Sequence, residues 1–270
     1  MDAEEWFHVP GNPMYADAAR WGDLPPSFPR ALHKTLDFLD GAGIRATFFV
    51  LGWLVRRYPG EVKRLAASGH EIACHGRDHQ LVFLQSPEAF KGEVGDAKGA
   101  IEDLTGLAVR GFRAPRWSMP RDSWPYDVLR DLGFGYSSST LCIPGLGGGI
   151  PRSQKIAGVW EIPALSSGRG PFAWPAGGTV ALRVAPMGRL LAARNRAVGR
   201  GCPAVYWFHP WELLPDAPRV SGGALFRWAR YAALERLPQR LRALVPAGDR
   251  TLATALRLLD DLPENRDTKC

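Results

Sequence analysis

The sequence predicts an α/β fold with a parallel sheet, built as one domain of 270 residues. Short, apolar, β-rich runs alternate with segments of helical periodicity, which is typical of parallel strands joined by helical crossovers. An α/β barrel of about this length commonly forms a single unit. The hydrophobic content of 46% is sufficient for a large core.

The first half of the chain carries the clearest elements. Apolar residues at helical spacing begin at Phe28, and Gly41 or Gly43 ends that helix. A later helix is predicted between the cap Ser86 and the terminating Gly106. Apolar runs predict strands over residues 46–51, 71–74 and 109–112, and a further helix is expected over residues 59–67.

The second half is less regular. Strands are predicted over residues 159–162 and 204–208, within a loop-rich region over residues 141–186 that contains many glycines and prolines. A helical C-terminal region follows from about residue 222, and Pro238 is expected to split or kink it. We expect one domain over residues 1–261 and a disordered tail over residues 262–270.

Composition excludes several classes of protein. The net charge is +7, but the arginines are spread along the chain and do not form the basic patch that nucleic acid requires. No run of about 18 apolar residues is present, so no integral membrane segment is expected. The acidic N-terminus lacks a signal segment, which predicts a cytoplasmic protein unless an upstream segment is missing. The four scattered cysteines are expected to be reduced thiols.

Reactive residues occur in four clusters, at residues 2–8, 75–79, 111–117 and 207–212. Three of the clusters follow predicted strands, and the carboxyl ends of barrel strands are where active sites form. The pair His75 and His79 has a spacing that can place both imidazoles on one face of a helical turn, as metal binding needs. Taken alone, each cluster has a purely structural explanation. Residues 2–8 could be a solvated acidic terminus, residues 75–79 could hold surface or capping histidines, residues 111–117 could be a strand end, and residues 207–212 could hold a core histidine.

Together and in this order, the clusters resemble those of the polysaccharide deacetylase family and its NodB-type homology region. The phrases at residues 46–52 and 69–75 are typical of that family, and the resemblance runs from Asp2 to about Glu212. The remainder resembles a bacterial subgroup associated with exopolysaccharide export loci. The resemblance implies an irregular (β/α)7-type barrel and a hydrolase that removes N-acetyl groups from an amino-sugar polysaccharide or its precursor.

The resemblance also implies a metal site. His75 and His79 would bind a divalent ion together with Glu4, and Glu5 is the alternative carboxylate. Two histidines and one carboxylate leave an open coordination position, as catalytic zinc sites require. Zn²⁺ is the expected ion, and such a site also accepts Co²⁺, Ni²⁺ or Fe²⁺.

Catalytic roles follow from the same resemblance. Asp2 would take a proton from water as general base, Arg113 would keep Asp2 ionised, and His209 would protonate the departing amine. The predicted substrate-binding residues are Arg116, whose backbone N–H would stabilise an oxyanion, and Trp117 and Trp211, which could stack on sugar rings.

The sequence departs from the family pattern after the third cluster, where Ser137 stands in place of an aspartate. A carboxylate that would orient the catalytic histidine is therefore absent there, and Glu161 or Glu212 could take its place. Two alternative functions stay open: a metal-dependent hydrolase of a non-sugar amide or O-acetyl ester, and a catalytically inactive glycan-binding module on the same fold. The sequence does not predict the oligomeric state.

Overall fold

The computed structural model describes residues 1–8, 17–142, 152–168 and 172–260. The predicted tail over residues 262–270 and part of the glycine-rich loop lie outside these ranges. A seven-stranded sheet has the order β1-β3-β4-β5-β6-β8-β7. Its strands are β1 (Asp2–Ala3), β3 (Thr47–Val50), β4 (Glu71–Cys74), β5 (Gly111–Phe112), β6 (Tyr136–Ser137), β7 (Gln154–Ile156) and β8 (Val159–Glu161).

In this spatial order, each neighbouring pair from β1 across to β8 is parallel. The last pair of this sheet, β8 with β7, is antiparallel. The predicted strand over residues 204–208 is not a regular strand, yet its backbone accepts hydrogen bonds from β1 and from the segment that follows β8. The N–H of Asp2 donates to the Phe208 carbonyl at 3.2 Å, and the N–H of Leu165 donates to the Val205 carbonyl at 2.9 Å. The parallel sheet thus curls towards an irregular barrel, with its strand carboxyl ends at one rim.

Helices connect these strands. They are α1 (Phe28–Gly41), α2 (Gly52–Arg57), α3 (Pro59–Ala67), α4 (Pro87–Thr105), α5 (Trp124–Asp131), α6 (Thr179–Val184) and α7 (Met187–Val198). The C-terminal region holds α8 (Ala224–Tyr231), α9 (Leu237–Leu244) and α10 (Leu252–Asp260). A small sheet pairs β2 (Ile44–Arg45) with β9 (Gly248–Asp249) in parallel. No described helix combines the length and apolar character needed to cross a membrane.

The helix boundaries predicted for the first half of the chain are confirmed, and capping residues explain those of α4. Ser86 caps α4 by accepting the Ala89 N–H, and Gly106 ends the helix in the left-handed conformation with φ of 69°. The C-terminal region is divided into α8 and α9, and Pro238 lies in the first turn of α9 rather than at a kink in one longer helix.

The main hydrophobic core joins the sheet to helices from both halves of the chain. It contains side chains from β3, β4 and β5 together with α1, α4 and α9. The C-terminal helical region is less buried than its periodicity suggests, since Leu225 is 78% and Trp228 is 52% exposed. Cys74 and Cys142 are free, buried thiols.

Glu5 is fully buried and serves the start of α1. Its carboxylate accepts the backbone N–H groups of Ser27 and Phe28, the Ser27 hydroxyl and the Tyr58 hydroxyl, at 2.7–3.1 Å. An anionic group at a helix N-terminus satisfies N–H groups that have no partner within the helix and interacts favourably with the helix dipole. The carboxylate thereby ties the segment after β1 to α1.

Replacing Glu5 by glutamine is expected to lower the free energy of unfolding by about 2–3 kcal/mol, because charge-assisted hydrogen bonds of a buried group are lost. Urea unfolding measures this change. The zinc affinity of Glu5→Gln should equal that of the parent protein, whereas Glu4→Gln should bind zinc more weakly. A Glu5→Gln variant that kept full stability and lost zinc would show that Glu5, and not Glu4, is a metal ligand.

Candidate active site

Three potential metal ligands meet at the carboxyl ends of β1 and β4. Glu4, His75 and His79 are all buried, and each offers a ligand atom within 4.8 Å of the others. Oε2 of Glu4 lies 2.8 Å from Nε2 of His79 and 4.0 Å from Nε2 of His75. Parallel pairing of β1 with β3, and of β3 with β4, places the two strand ends at the same rim.

The segment that joins the two histidines is a loop and not the helical turn that the spacing predicts. Gly76 has φ of 80° and His79 has φ of 55°, both in the left-handed region. The buried carboxylate of Glu93 accepts the N–H groups of Arg77 and Asp78 at 2.5 and 3.2 Å. The loop is therefore shaped by a glycine conformation and by a side chain from α4.

Gly76→Ala is expected to weaken zinc binding about 10- to 100-fold, as loss of support for a metal ligand typically does. An alanine Cβ at this position would lie 2.7 Å from Oε1 of Glu93, in addition to the strain of a positive φ. Gly106→Ala is the matched control, because it has the same backbone strain with no atom within 4 Å. Equal zinc affinities of the two variants, measured by chelator competition, would contradict this role of the loop.

Hydrogen bonding leaves His75 ready to bind a metal through Nε2. Its Nδ1 lies 2.8 Å from the backbone carbonyl oxygen of Arg113, which can only accept, so Nδ1 carries the proton. Burial lowers the pKa of His75 to about 4, which favours the neutral ring. Burial alone would raise the pKa of Glu4, but the adjacent His79 and His209 outweigh it and lower that pKa to about 2.

This donor set fits a divalent metal ion. Two neutral imidazoles and one carboxylate are the ligands of many catalytic zinc sites. The same set of ligands also binds cobalt, nickel or iron. The hydrogen bond from Nδ1 of His75 to the Arg113 carbonyl is of the kind that fixes the orientation of a metal-binding histidine.

Asp2 forms a buried ion pair with Arg113 beside this cluster. Oδ1 of Asp2 lies 2.7 Å from the Arg113 guanidinium, which also donates to the Ser138 carbonyl and hydroxyl at 2.8 Å and stacks over Phe49. Burial alone would raise the pKa of Asp2, but Arg113 and then His75 hold it below its usual range. The carboxylate therefore stays ionised and can accept a proton.

His209 lies across the cluster from these groups. Its Nε2 is 3.2 Å from Oε1 of Glu4, and its Nδ1 is 2.7 Å from Oε1 of Glu212. Burial alone would lower the pKa of His209, but Glu4 and Glu212 outweigh this effect and raise it. A histidine that keeps its proton more readily is suited to donate it to a leaving group. Glu161, the other carboxylate considered from the sequence, instead accepts from Ser139 and Thr140.

The predicted substrate-binding residues differ in exposure. Arg116 is exposed and Trp117 partly exposed, and both have positive φ after β5. The Trp117 ring is 5.4 Å from the Trp207 ring, which in turn lies beside His209. Trp211 is only 2% exposed and stacks against His209 from within the core, so it has no open face for a sugar.

Two supporting residues were not identified from the sequence. Glu93 and Arg183 are buried and lie far along the chain from the groups that they hold, so no local pattern reveals them. Glu212 was one of the two carboxylates considered from the sequence, and it also carries a local signal: a histidine cap, a proline at the first helical position and a glutamate at the third form a capping box.

Two family models match different parts of the chain. Residues 21–137 match the model described as polysaccharide deacetylase, and residues 148–255 match a domain of unknown function, DUF3473. The first match supports a polysaccharide deacetylase family domain over the residues that it covers. Asp2 and Glu4 precede that match, and His209 and Glu212 fall within the second.

Curated relatives are similar over a limited region. The chain is 31% identical over 108 residues to the peptidoglycan-N-acetylglucosamine deacetylase PgdA of Listeria monocytogenes, covering 34% of this chain and 23% of the relative. It is 31% identical over 131 residues to a chitooligosaccharide deacetylase of Bradyrhizobium, covering 43% of this chain and 57% of the relative. The match to YheN of Bacillus subtilis, assigned as a polysaccharide deacetylase, is 33% identical over 112 residues and covers 40% and 39%. The chain thus spans less than two thirds of these relatives.

A solved structure extends the similarity in fold across most of the chain. A protein of Mycobacterium smegmatis assigned as a polysaccharide deacetylase superposes with a TM-score of 0.55 and 21% identity, covering 86% of this chain and 79% of that protein. This likeness confirms the α/β fold with a mostly parallel sheet.

Proposed function

We propose that this chain, which carries a polysaccharide deacetylase family domain, is a metal-dependent hydrolase that removes N-acetyl groups from an amino-sugar polysaccharide or its precursor. One observation carries the proposal. The buried cluster of Glu4, His75 and His79 lies between Asp2, which is ion-paired with Arg113, and His209, whose Nδ1 contacts Glu212. A metal site flanked by a base and an acid is what amide hydrolysis requires.

Glu4, His75 and His79 would hold the ion, most suitably Zn²⁺. When bound, a divalent ion supplies Lewis acidity for polarising a carbonyl and lowering the pKa of a water molecule. Asp2, kept ionised by Arg113, takes the proton of the attacking water. His209 donates a proton to the departing nitrogen, which cannot leave as an anion. The backbone N–H of Arg116 would stabilise the developing oxyanion.

The substrate class follows from the relatives and from the open part of the site. PgdA and the chitooligosaccharide deacetylase are named for N-acetylated glycans, which supports an N-acetylated glycan as substrate here. Trp117 and its neighbour Trp207 are partly exposed beside His209 and offer aromatic faces for sugar rings. A role in bacterial exopolysaccharide biosynthesis is part of the proposal and is drawn from the resemblance of the C-terminal part.

Acetate release from three substrate classes tests the proposal. The zinc-loaded protein would be incubated with N-acetylglucosamine oligomers of increasing length, with a small non-sugar acetamide and with an O-acetylated sugar. Release from the oligomers, abolished by chelation and restored by Zn²⁺, is the expected result. Release only from the acetamide or the ester would assign the alternative hydrolase function. Oligomer binding without release at full zinc occupancy would indicate a glycan-binding module.

A further inference from the structure

The carboxylate that holds His209 is itself anchored by two groups on α6. Oε2 of Glu212 accepts a hydrogen bond from the Thr179 hydroxyl and lies 3.5 Å from Nε of Arg183. The side chains of Glu212 and Arg183 are 0% and 1% exposed. A buried carboxylate without a compensating charge is strongly unfavourable, so Arg183 allows Glu212 to stay ionised in this position.

Arg183 also closes the C-terminal end of α8. Its guanidinium donates to the backbone carbonyls of Ala229, Arg230 and Ala232 at 2.6, 3.1 and 2.7 Å. The last carbonyls of a helix have no partner within the helix, and the guanidinium satisfies them. The end of α8, the helix α6 and the turn after His209 are therefore joined in one buried network of hydrogen bonds.

No other carboxylate in the described parts of the chain contacts Nδ1 of His209. The hydroxyl of Ser137, which stands where the family pattern has an aspartate, is hydrogen-bonded to Ser139 at 2.7 Å. Glu161 is occupied by the N–H groups of Ser139 and Thr140 and by the Tyr126 hydroxyl. Glu212 is thus the carboxylate that contacts Nδ1 of His209.

We propose that Glu212 is the positioning residue of His209, and that Arg183 fixes Glu212 by linking it to the end of α8. The region that matches a domain of unknown function would then complete the active site, since it supplies His209, Glu212, Thr179 and Arg183. This inference rests on the proposed hydrolase function, in which His209 is the acid.

The chemical consequence concerns one proton. Glu212 accepts the Nδ1 proton, so the second proton of the ring is carried on Nε2, which faces the metal ligand Glu4. During hydrolysis, the oxygen of water bonds to the acetyl carbon while Asp2 takes one proton of that water, and the C–N bond breaks with its electron pair on nitrogen. That nitrogen takes the Nε2 proton, and His209 is left neutral with its Nδ1 proton still donated to Glu212.

Two substrates that differ in their leaving group separate positioning from general structural support. The amine of an N-acetylglucosamine oligomer needs a proton to leave, whereas the nitrophenolate of 4-nitrophenyl acetate does not. For zinc-loaded Glu212→Gln, we expect kcat on the oligomer to fall about 10²- to 10⁴-fold, the usual worth of general acid catalysis, with little change in KM. Hydrolysis of the aryl ester should fall far less. Glu235→Gln, a 76% exposed glutamate, is the control.

Equal losses on both substrates, or no loss on the oligomer, would overturn the proposal. Should Glu212→Gln fold poorly, ¹⁵N NMR of histidine-labelled parent protein decides instead, because the neutral His209 ring is expected to be protonated at Nδ1 and a ring protonated only at Nε2 would refute the inference. A parent protein that releases no acetate from glycans but shows the Nδ1 tautomer would reject the proposed function and retain Glu212 as the positioning residue.

Discussion

His75→Ala is expected to remove tight zinc binding and, with it, all measurable acetate release. His75 is 1% exposed and its Nε2 is directed towards Glu4 by the hydrogen bond at Nδ1. Loss of a direct ligand should reduce zinc affinity by more than the roughly 100-fold that loss of an outer partner costs. Equilibrium dialysis against zinc measures the affinity, and the same samples can be assayed for acetate.

The matched control is His33→Ala, which removes a 42% exposed histidine paired with Glu61. This variant should bind zinc as the parent does. If His75→Ala kept parent-like zinc affinity and activity, the metal site would lie elsewhere and the assignment of Glu4, His75 and His79 would be wrong.

Asp2→Asn should lower kcat about 10²- to 10⁴-fold while the protein keeps its zinc. The amide has nearly the shape of the carboxylate but cannot accept a proton at neutral pH, so proton removal from water is lost. KM should change little, because the residue acts on water and not on the sugar. Zinc content and kcat, measured on the same preparation, separate a base from a ligand: a loss of zinc would make Asp2 a ligand.

The same substitution has a predicted cost in stability. It leaves the Arg113 guanidinium buried without its counter-ion, and removal of one partner of a buried ion pair typically costs about 3–5 kcal/mol. Urea unfolding of the zinc-free protein should show this loss. Exposed Asp216→Asn, which breaks the surface pair with Arg30, should leave the free energy of unfolding nearly unchanged.

The fold and part of the site could be predicted because their signals are local. Strand β4 is a short apolar run that ends at Cys74, and His75 follows it directly. The same few residues therefore predict both the strand and the candidate metal ligand. The cap Ser86 and the terminator Gly106 likewise lie beside the helix that they delimit. The parallel sheet follows from the alternation of such elements.

Other features depend on contacts between distant parts of the chain. Glu5 caps a helix that begins more than twenty residues later, so sequence alone left it as an alternative metal ligand. Trp211 is of the residue type that often stacks on sugar rings, but Arg230 and Tyr231 pack against it in the core. The loop from His75 to His79 depends on Glu93, and a spacing of four residues does not distinguish that loop from a helical turn.

Restoration of activity by metal tests the central claim most directly. The protein is stripped with a chelator, and acetate release from N-acetylglucosamine oligomers is followed as Zn²⁺ is added back to the parent, to His75→Ala and to Asp2→Asn. We predict that the parent regains release at one zinc per chain, that His75→Ala binds no zinc and stays inactive, and that Asp2→Asn binds zinc and stays nearly inactive. Release by the stripped parent, or equal release by all three proteins, would contradict a metal-dependent deacetylase built on these residues.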